Sequence, residues 1–186
     1  MITILTLIGL CIVVCAIVAV SLYNGIIRKR NIVSEAASGI DVQLKRRHDL
    51  IPNLVETVKG YAGHEKTVLA DVTTLRARSM QATDMKEKGV FETALSRSIG
   101  SIFAVAENYP DLKANQNFQQ LQTELTSLEA EIQLARRFYN GAVRDYNTAI
   151  QSLPFVLVAS SLGFTPRDFF ALEDTTVRET PAVNFS

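Results

Sequence analysis

FQQLQTELTSLEAEIQLARRFYNGAVRDYNTAI, residues 118–150, carries an apolar seam. Phe118, Leu121, Leu125, Leu128, Ile132, Ala135, Tyr139, Ala142 and Tyr146 alternate at steps of three and four, which puts them on one face of a helix. At about 1.5 Å per residue that helix is ~50 Å long, too long to keep its seam from water without partner helices alongside. Positions beside the seam begin polar (Gln122, Glu124, Glu129, Glu131) and turn apolar later (Val143, Ile150). A widening stripe meets several neighbours, which favours a bundle over a two-stranded coiled coil. Glu129 and Glu131, two apart, are expected on different faces and in solvent. Tyr139-Asn140 and Tyr146-Asn147 repeat one heptad apart, and buried tyrosine hydroxyls need partners.

Upstream, Val33, Ala36, Ala37, Ile40, Leu44, Ile51, Leu54, Val55 and Val58 again take helical spacing. Pro52 removes a hydrogen bond inside this helix, so a kink is expected between His48 and Asn53. Gly60 and Gly63 mark a turn. A second helix is predicted from about His64 to Ser79, burying Val68, Leu69, Val72 and Leu75. Met80 to Gly89, charged and non-periodic, reads as a surface connection. A third helix is predicted from about Val90 to Asn108, with Phe91, Ala94, Leu95, Ile99, Ile102, Phe103 and Ala106 buried; Tyr109-Pro110-Asp111 stops it. Asn117 is the expected cap of the long helix, with Gln120 three residues on. After Pro154 comes a short apolar turn closed by Gly163. Thr165-Pro166 then reads as a fresh helix start, with Phe169, Phe170 and Leu172 docking on the bundle end. No segment alternates as a strand.

The first 27 residues contain no charged side chain. As a helix they would span ~39 Å, more than the ~30 Å a bilayer core requires. A cleaved signal peptide would need a basic start, where Met1-Ile2-Thr3 offers only the α-amino group, as well as a shorter apolar run and an Ala-x-Ala site, and no such site follows. Cys11 and Cys15, the only cysteines, lie within the run and build neither a disulfide framework nor a zinc ribbon. Arg28, Lys29 and Arg30 follow directly, which places the N-terminus outside and the C-terminal domain in the cytoplasm by the positive-inside bias. The expected organisation is all-α. A transmembrane anchor (1–27) leads into an antiparallel bundle of about four long helices with a short C-terminal helical piece (28–172), then a flexible tail (173–186).

Over 186 residues the formal net charge is zero, so no global bias points to nucleic acid or to an acidic ligand. His48 and His64 are the only histidines, and no second histidine stands four residues after either to make a zinc metalloprotease motif. Phosphate-cradling glycine loops, a nucleophile elbow around Ser160-Ser161 and the Glu-x-x-His pairs of a di-iron bundle are all missing from the sequence. No catalytic residue, cofactor, metal, nucleic acid or small-molecule substrate is therefore expected. The distinctive stretch is Asp41 to Leu54, where Asp41, Lys45, Arg46, Arg47, Asp49 and Asn53 form a candidate interaction patch. On a solvated helix face, Asp41 would pair with Lys45. As a docking face, the three basic residues would meet protein or anionic headgroups.

The runs Ile40-Asp-Val-Gln-Leu-Lys-Arg-Arg-His-Asp-Leu-Ile-Pro-Asn-Leu54, Val58-Lys-Gly-Tyr-Ala-Gly-His-Glu65, Tyr109-Pro-Asp-Leu-Lys-Ala114, Ala135-Arg-Arg-Phe-Tyr-Asn140 and Asp145-Tyr-Asn147 resemble, in order, the LemA family of bacterial membrane-anchored proteins. The resemblance spans Tyr23 to Phe170. It implies one N-terminal transmembrane helix, then a mostly antiparallel bundle, partly similar to a magnetosome-associated membrane protein. It brings no common activity and no catalytic residues. One departure is that the family often has tryptophan where Ala37 stands. The function expected is a non-enzymatic, membrane-tethered scaffold or protein-interaction module at the bacterial inner membrane. Its expected partners are lipid along residues 2–27 and a protein partner or a second copy. The alternatives are a membrane-organising protein whose basic juxtamembrane helix contacts anionic lipid, or a signalling component.

Overall fold

α1 runs unbroken from Ile2 to Lys59, through Pro52. Proline lacks the N–H that would close a turn onto the carbonyl four residues back, here that of His48. Arg76 supplies the missing donor, its Nε 2.8 Å from the His48 oxygen. The orphaned acceptor is thus satisfied from a neighbouring helix, and the helix continues where a break signal stands in the sequence.

The structure is a computed structural model that describes residues 2–61 and 66–170. Among these the elements are α1, α2 (Lys66–Gln81), α3 (Met85–Ala106), α4 (Pro110–Lys113), α5 (Gln116–Gln151) and a 3-10 turn at Phe155–Leu157, with no strand. The all-α architecture and the long heptad helix are as the periodicity predicts. Several boundaries differ for local reasons. The connection expected over Met80 to Gly89 shrinks to residues 82–84, because the Asp84 side chain caps α3, accepting from the Glu87 N–H at 2.6 Å. Lys86 and Glu87 therefore lie on a solvated helix face. The cap of α5 is Asn115 rather than Asn117, its Oδ1 accepting from the Phe118 N–H at 3.1 Å. His64, Leu172 and the tail from 173 lie outside the described residues.

The chain divides into two compact units, and α1 and α5 each contribute to both. In the bundle unit (40–137 with the chain from 168), α1, α2, α3 and α5 share one core of Ile51, Leu54, Leu69, Val72, Leu95, Ile99, Phe118 and Leu125. The order is up-down-up-down. Arg46 and Arg47 of α1 reach Glu131 and Glu129 of the descending α5, while α3 rises beside α1, pairing Lys88 with Asp41 and Glu92 with Arg47. Short connections between neighbours make this the natural topology. Leu112 of α4 is fully buried and fixes the α3–α5 link, and Phe103 meets Phe118 edge-on at 6.1 Å. Phe170 is buried here under the Arg136 guanidinium, 4.9 Å from its ring centre, whereas Phe169 is exposed.

The anchor unit holds residues up to 39 with 138–167. Its buried positions are Ile26, Val33 and Ala36 on α1, Tyr139, Val143, Tyr146 and Ile150 on α5, and Phe155, Ala159 and Phe164 beyond. The helix start expected at Thr165 is not formed. Instead α5 side chains take the backbone groups of this segment: the Tyr146 hydroxyl donates to the Thr165 carbonyl at 3.1 Å. Asn147 accepts from the Arg167 N–H and donates to its carbonyl, both at 2.9 Å. Side chains that satisfy the backbone this way compete with helix formation. α1 is, among the described residues, the helix long and apolar enough to cross a membrane, and none of its most apolar stretch is buried within the chain.

Candidate functional site

In the bundle unit the apolar registers are each interrupted by polar residues, and the interruptions meet. On α1 the buried positions step through Ile40, Leu44, Arg47, Ile51, Leu54 and Val58; on α3 through Glu92, Leu95, Ile99, Ile102 and Ala106; on α2 they include Leu69, Val72 and Ser79. The three-and-four spacing that buries the leucines also buries Arg47 and Glu92, each 1% exposed.

Arg47 is the hub. Its Nη2 pairs with the Glu92 carboxylate and lies 3.3 Å from the Glu92 carbonyl; its Nη1 donates to Ser96 Oγ and to Glu129 Oε2, both at 2.7 Å. Ser96 in turn donates to Glu129 at 2.8 Å, and Gln133 donates to its other oxygen at 2.8 Å. On the far side of Glu92, the Ser79 hydroxyl donates to Oε1, which also receives His48 Nε2 at 2.6 Å. Four helices are thereby tied through two carboxylates.

The electrostatics follow from burial. Desolvation lowers the Arg47 guanidinium to about 10, with Glu129 opposing and Arg136 adding to the fall. Burial, then the charges of Arg47 and Arg76, lowers His48 to about 4, so the neutral ring donates from Nε2 to Glu92. Burial alone would raise Glu129. The Gln133 hydrogen bond, the Arg47 charge and the Ser96 hydroxyl outweigh it and hold the carboxylate below its usual range.

A lowered histidine pKa makes stability depend on pH with a definite sign. Between about 6.5 and about 4 the unfolded chain takes up a proton that the folded chain refuses, so stability is full above this window and falls as pH drops through it. At about 1.4 kcal/mol per pKa unit the loss approaches ~3 kcal/mol. Acidification through the folded pKa of Glu129 weakens the fold further. Unfolding of the detergent-solubilised chain from pH 7 down to pH 4.5 should show this decline, and His48→Gln should flatten it. An unchanged slope in that variant would remove His48 as the cause.

The candidate patch does not lie on one face. Asp41, Lys45, Arg46, Asp49 and Asn53 are exposed, but Arg47 turns inward and is buried. Lys45 pairs with Asp49 at 2.8 Å rather than with Asp41, which takes Lys88 at 2.7 Å. Arg46 holds Glu131 at 3.1 Å and Gln43 at 3.0 Å. Arg46, Asp49, Leu50, Glu124, Leu128 and Glu131 line a groove of about 310 Å³. Glu129, expected in solvent, is half-buried and joins this network. Ser79, Glu92 and Ser96 escaped the sequence reading. The signal available was a polar residue standing on a core step, as Glu92 does three before Leu95 and seven before Ile99.

Chemically the network is turned on itself. Ser79 gives its proton to the carboxylate that also holds His48, whereas a nucleophile activated by imidazole gives it to the ring. The arrangement fixes helix register.

The profile of the family described as LemA family matches residues 36–185. Protein LemA of Metamycoplasma hominis is 28% identical over 140 residues, covering 75% of this chain and 64% of that protein. Magnetosome protein MamQ 2 of Paramagnetospirillum magneticum is 22% identical over 187 residues, 87% of this chain and 68% of its own length. Magnetosome protein MamQ of Magnetospirillum gryphiswaldense is 22% identical over 174 residues, 80% of this chain and 64% of its own.

Proposed function

The chain belongs to the LemA family, and on that premise we propose that it is a non-enzymatic scaffold, a helical bundle tethered to the bacterial inner membrane by Ile2 to Ile27 that binds other proteins. The observation that carries this reading is the fate of the reactive groups in the bundle unit: Arg47, His48, Glu92 and Glu129 are spent on one another inside the four-helix contact. Groups committed in this way stiffen a surface and are not available to a substrate. The surface so held presents the mixed-charge groove at Arg46, Asp49 and Glu131, which suits a polar segment of a protein partner better than an anionic membrane. Three of the groups along this face, Lys45, Asp49 and Arg46, already have opposite charges beside them, which weakens the lipid-contact alternative.

The test is a photo-crosslinking amino acid at Asp49 in cells, followed by mass spectrometry. One or more protein neighbours should be recovered, and Arg46→Glu should reduce their yield. Recovery of lipid alone would favour the membrane-organising alternative, and recovery of no neighbour under several growth conditions would count against scaffolding. The basic cluster Arg28-Lys29-Arg30 supports an N-out, C-in orientation. A tag fused after Ser186 should then resist external protease in intact cells, and digestion there would invert the topology.

A further inference from the structure

We infer that the turn from Leu153 to Leu162 is a second membrane contact, dipping into the bilayer beside the transmembrane helix; this rests on the reading of Ile2 to Ile27 as the anchor. The outer side of the segment is mostly apolar, with Ser160 and Ser161 its exposed polar members. Phe155 and Ala159 turn inward and are buried with Phe164, yet Leu153 and Leu157 are 77% and 74% exposed, and Val156, Val158 and Leu162 are also exposed. No charged side chain occurs between Asp145 and Arg167. A turn facing water carries polar residues outward, and clustered apolar exposure marks an interaction surface.

Its position in the anchor unit says what covers it. Pro154, Leu157 and Leu162 face Ala19, Leu22 and Tyr23 of α1 across an apolar groove of about 560 Å³. Phe164 closes the turn, stacking edge-on with Tyr23 at 5.7 Å and with Phe155 at 5.9 Å, while the Arg30 guanidinium lies 6.0 Å from its ring centre. Gly163, at φ 75°, makes the reversal in a backbone region that favours glycine. Along α1, Ala19 to Tyr23 lie roughly 8–14 Å before Arg28, at about 1.5 Å per residue. With Arg28, Lys29 and Arg30 at the headgroups, that depth lies at and just beyond the ~5–10 Å reached by interfacial segments. The occupant is therefore the acyl chains of the leaflet on the side of Arg28-Lys29-Arg30. They fill the groove, and Tyr23 and Arg30 sit where amphipathic and basic side chains gather at a membrane surface.

The chain contains no tryptophan, so single-tryptophan variants of the full protein in lipid vesicles report depth directly. Leu157→Trp, with Leu153→Trp as a second reporter, changes only an exposed side chain. Emission from either should be blue-shifted and quenched roughly twofold by lipids brominated near the headgroup end of the chain, as for an interfacial segment. Ile12→Trp should be quenched by lipids brominated deep in the chain, and Leu134→Trp should be quenched by neither. If both turn reporters behave like Leu134→Trp while Ile12→Trp is quenched, the inference is overturned and the anchor stands. Blue-shifted but unquenched turn reporters would mean a protein covers the turn, which also overturns it. An unquenched Ile12→Trp would remove the anchor reading and this inference with it.

Discussion

Glu92→Leu should destabilise the bundle unit by about 3–5 kcal/mol, the cost of leaving a buried charge without its partner. Glu92, on α3, accepts from two other helices at once: from Arg47 and His48 on α1 and from Ser79 on α2. Arg47 cannot escape by losing its proton near neutrality, since burial lowers it only to about 10. Nor can it reach water, being 1% exposed. Glu129 remains as a partner on Nη1, but Nη2 keeps only the backbone carbonyl of position 92 at 3.3 Å in place of a carboxylate. Against a typical total stability of ~5–15 kcal/mol, a loss of this size removes much of the margin. Glu92→Gln, which keeps shape and hydrogen-bonding capacity but not charge, should fall between. Arg47→Met combined with Glu92→Leu should cost clearly less than the sum of the single changes, because an apolar pair can replace a buried ion pair at little net cost. Denaturant melts of the wild type, of Glu92→Leu, Glu92→Gln and Arg47→Met, and of the double variant check this. A loss below about 1 kcal/mol for Glu92→Leu would mean that the network is ornamental and the leucine layers alone set the register.

The same network explains where sequence reasoning stops. The seam of α5 is legible because its information is local: every third or fourth residue is apolar, and Phe118, Leu121, Leu125, Leu128, Ile132, Tyr139 and Tyr146 are buried, with Ala135 and Ala142 half-buried among them. Glu92 has the same spacing to Leu95 and Ile99, but a charge near a helix start reads as part of the solvated end, and the capping role of Asp84 moves that start to Met85. Pro52 raises the expectation of a kink, and the donor that replaces its N–H is out of local view because Arg76 stands on another helix. Thr165-Pro166 reads as a helix start for the same reason, since Tyr146 and Asn147 lie a full helix-end away in sequence. Periodicity reports what a residue does with its own turn; it is silent about a partner supplied from elsewhere. Of the candidate patch the exposed members were legible from charge alone, and Arg47 was not, because only its register with Leu44 and Ile51 distinguishes it from Arg46.

Leu128→Asp should abolish cooperative folding of the bundle unit. Leu128 is 3% exposed and sits in the seam one turn from Leu125 and Ile132, which are buried to the same degree. Removing it from the core forfeits about 2 kcal/mol of apolar burial, and placing a carboxylate there adds several more for a charge without solvent. Among the described residues the cation along the adjoining groove is Arg46, already held by Glu131 and Gln43, so a new carboxylate gains little from it. The combined penalty reaches the size of the whole stability of an ordinary domain. Leu134→Asp on the same helix supplies the contrast: at 63% exposure it should shift stability by no more than about 0.5 kcal/mol. In the detergent-solubilised chain the readout is limited proteolysis between residues 40 and 137 together with the thermal melt. Leu128→Asp should open this region to cleavage and lose its transition, while Leu134→Asp keeps both. The opposite ranking would place Leu134 inward and Leu128 outward, and with it would go the seam about which the other helices are gathered.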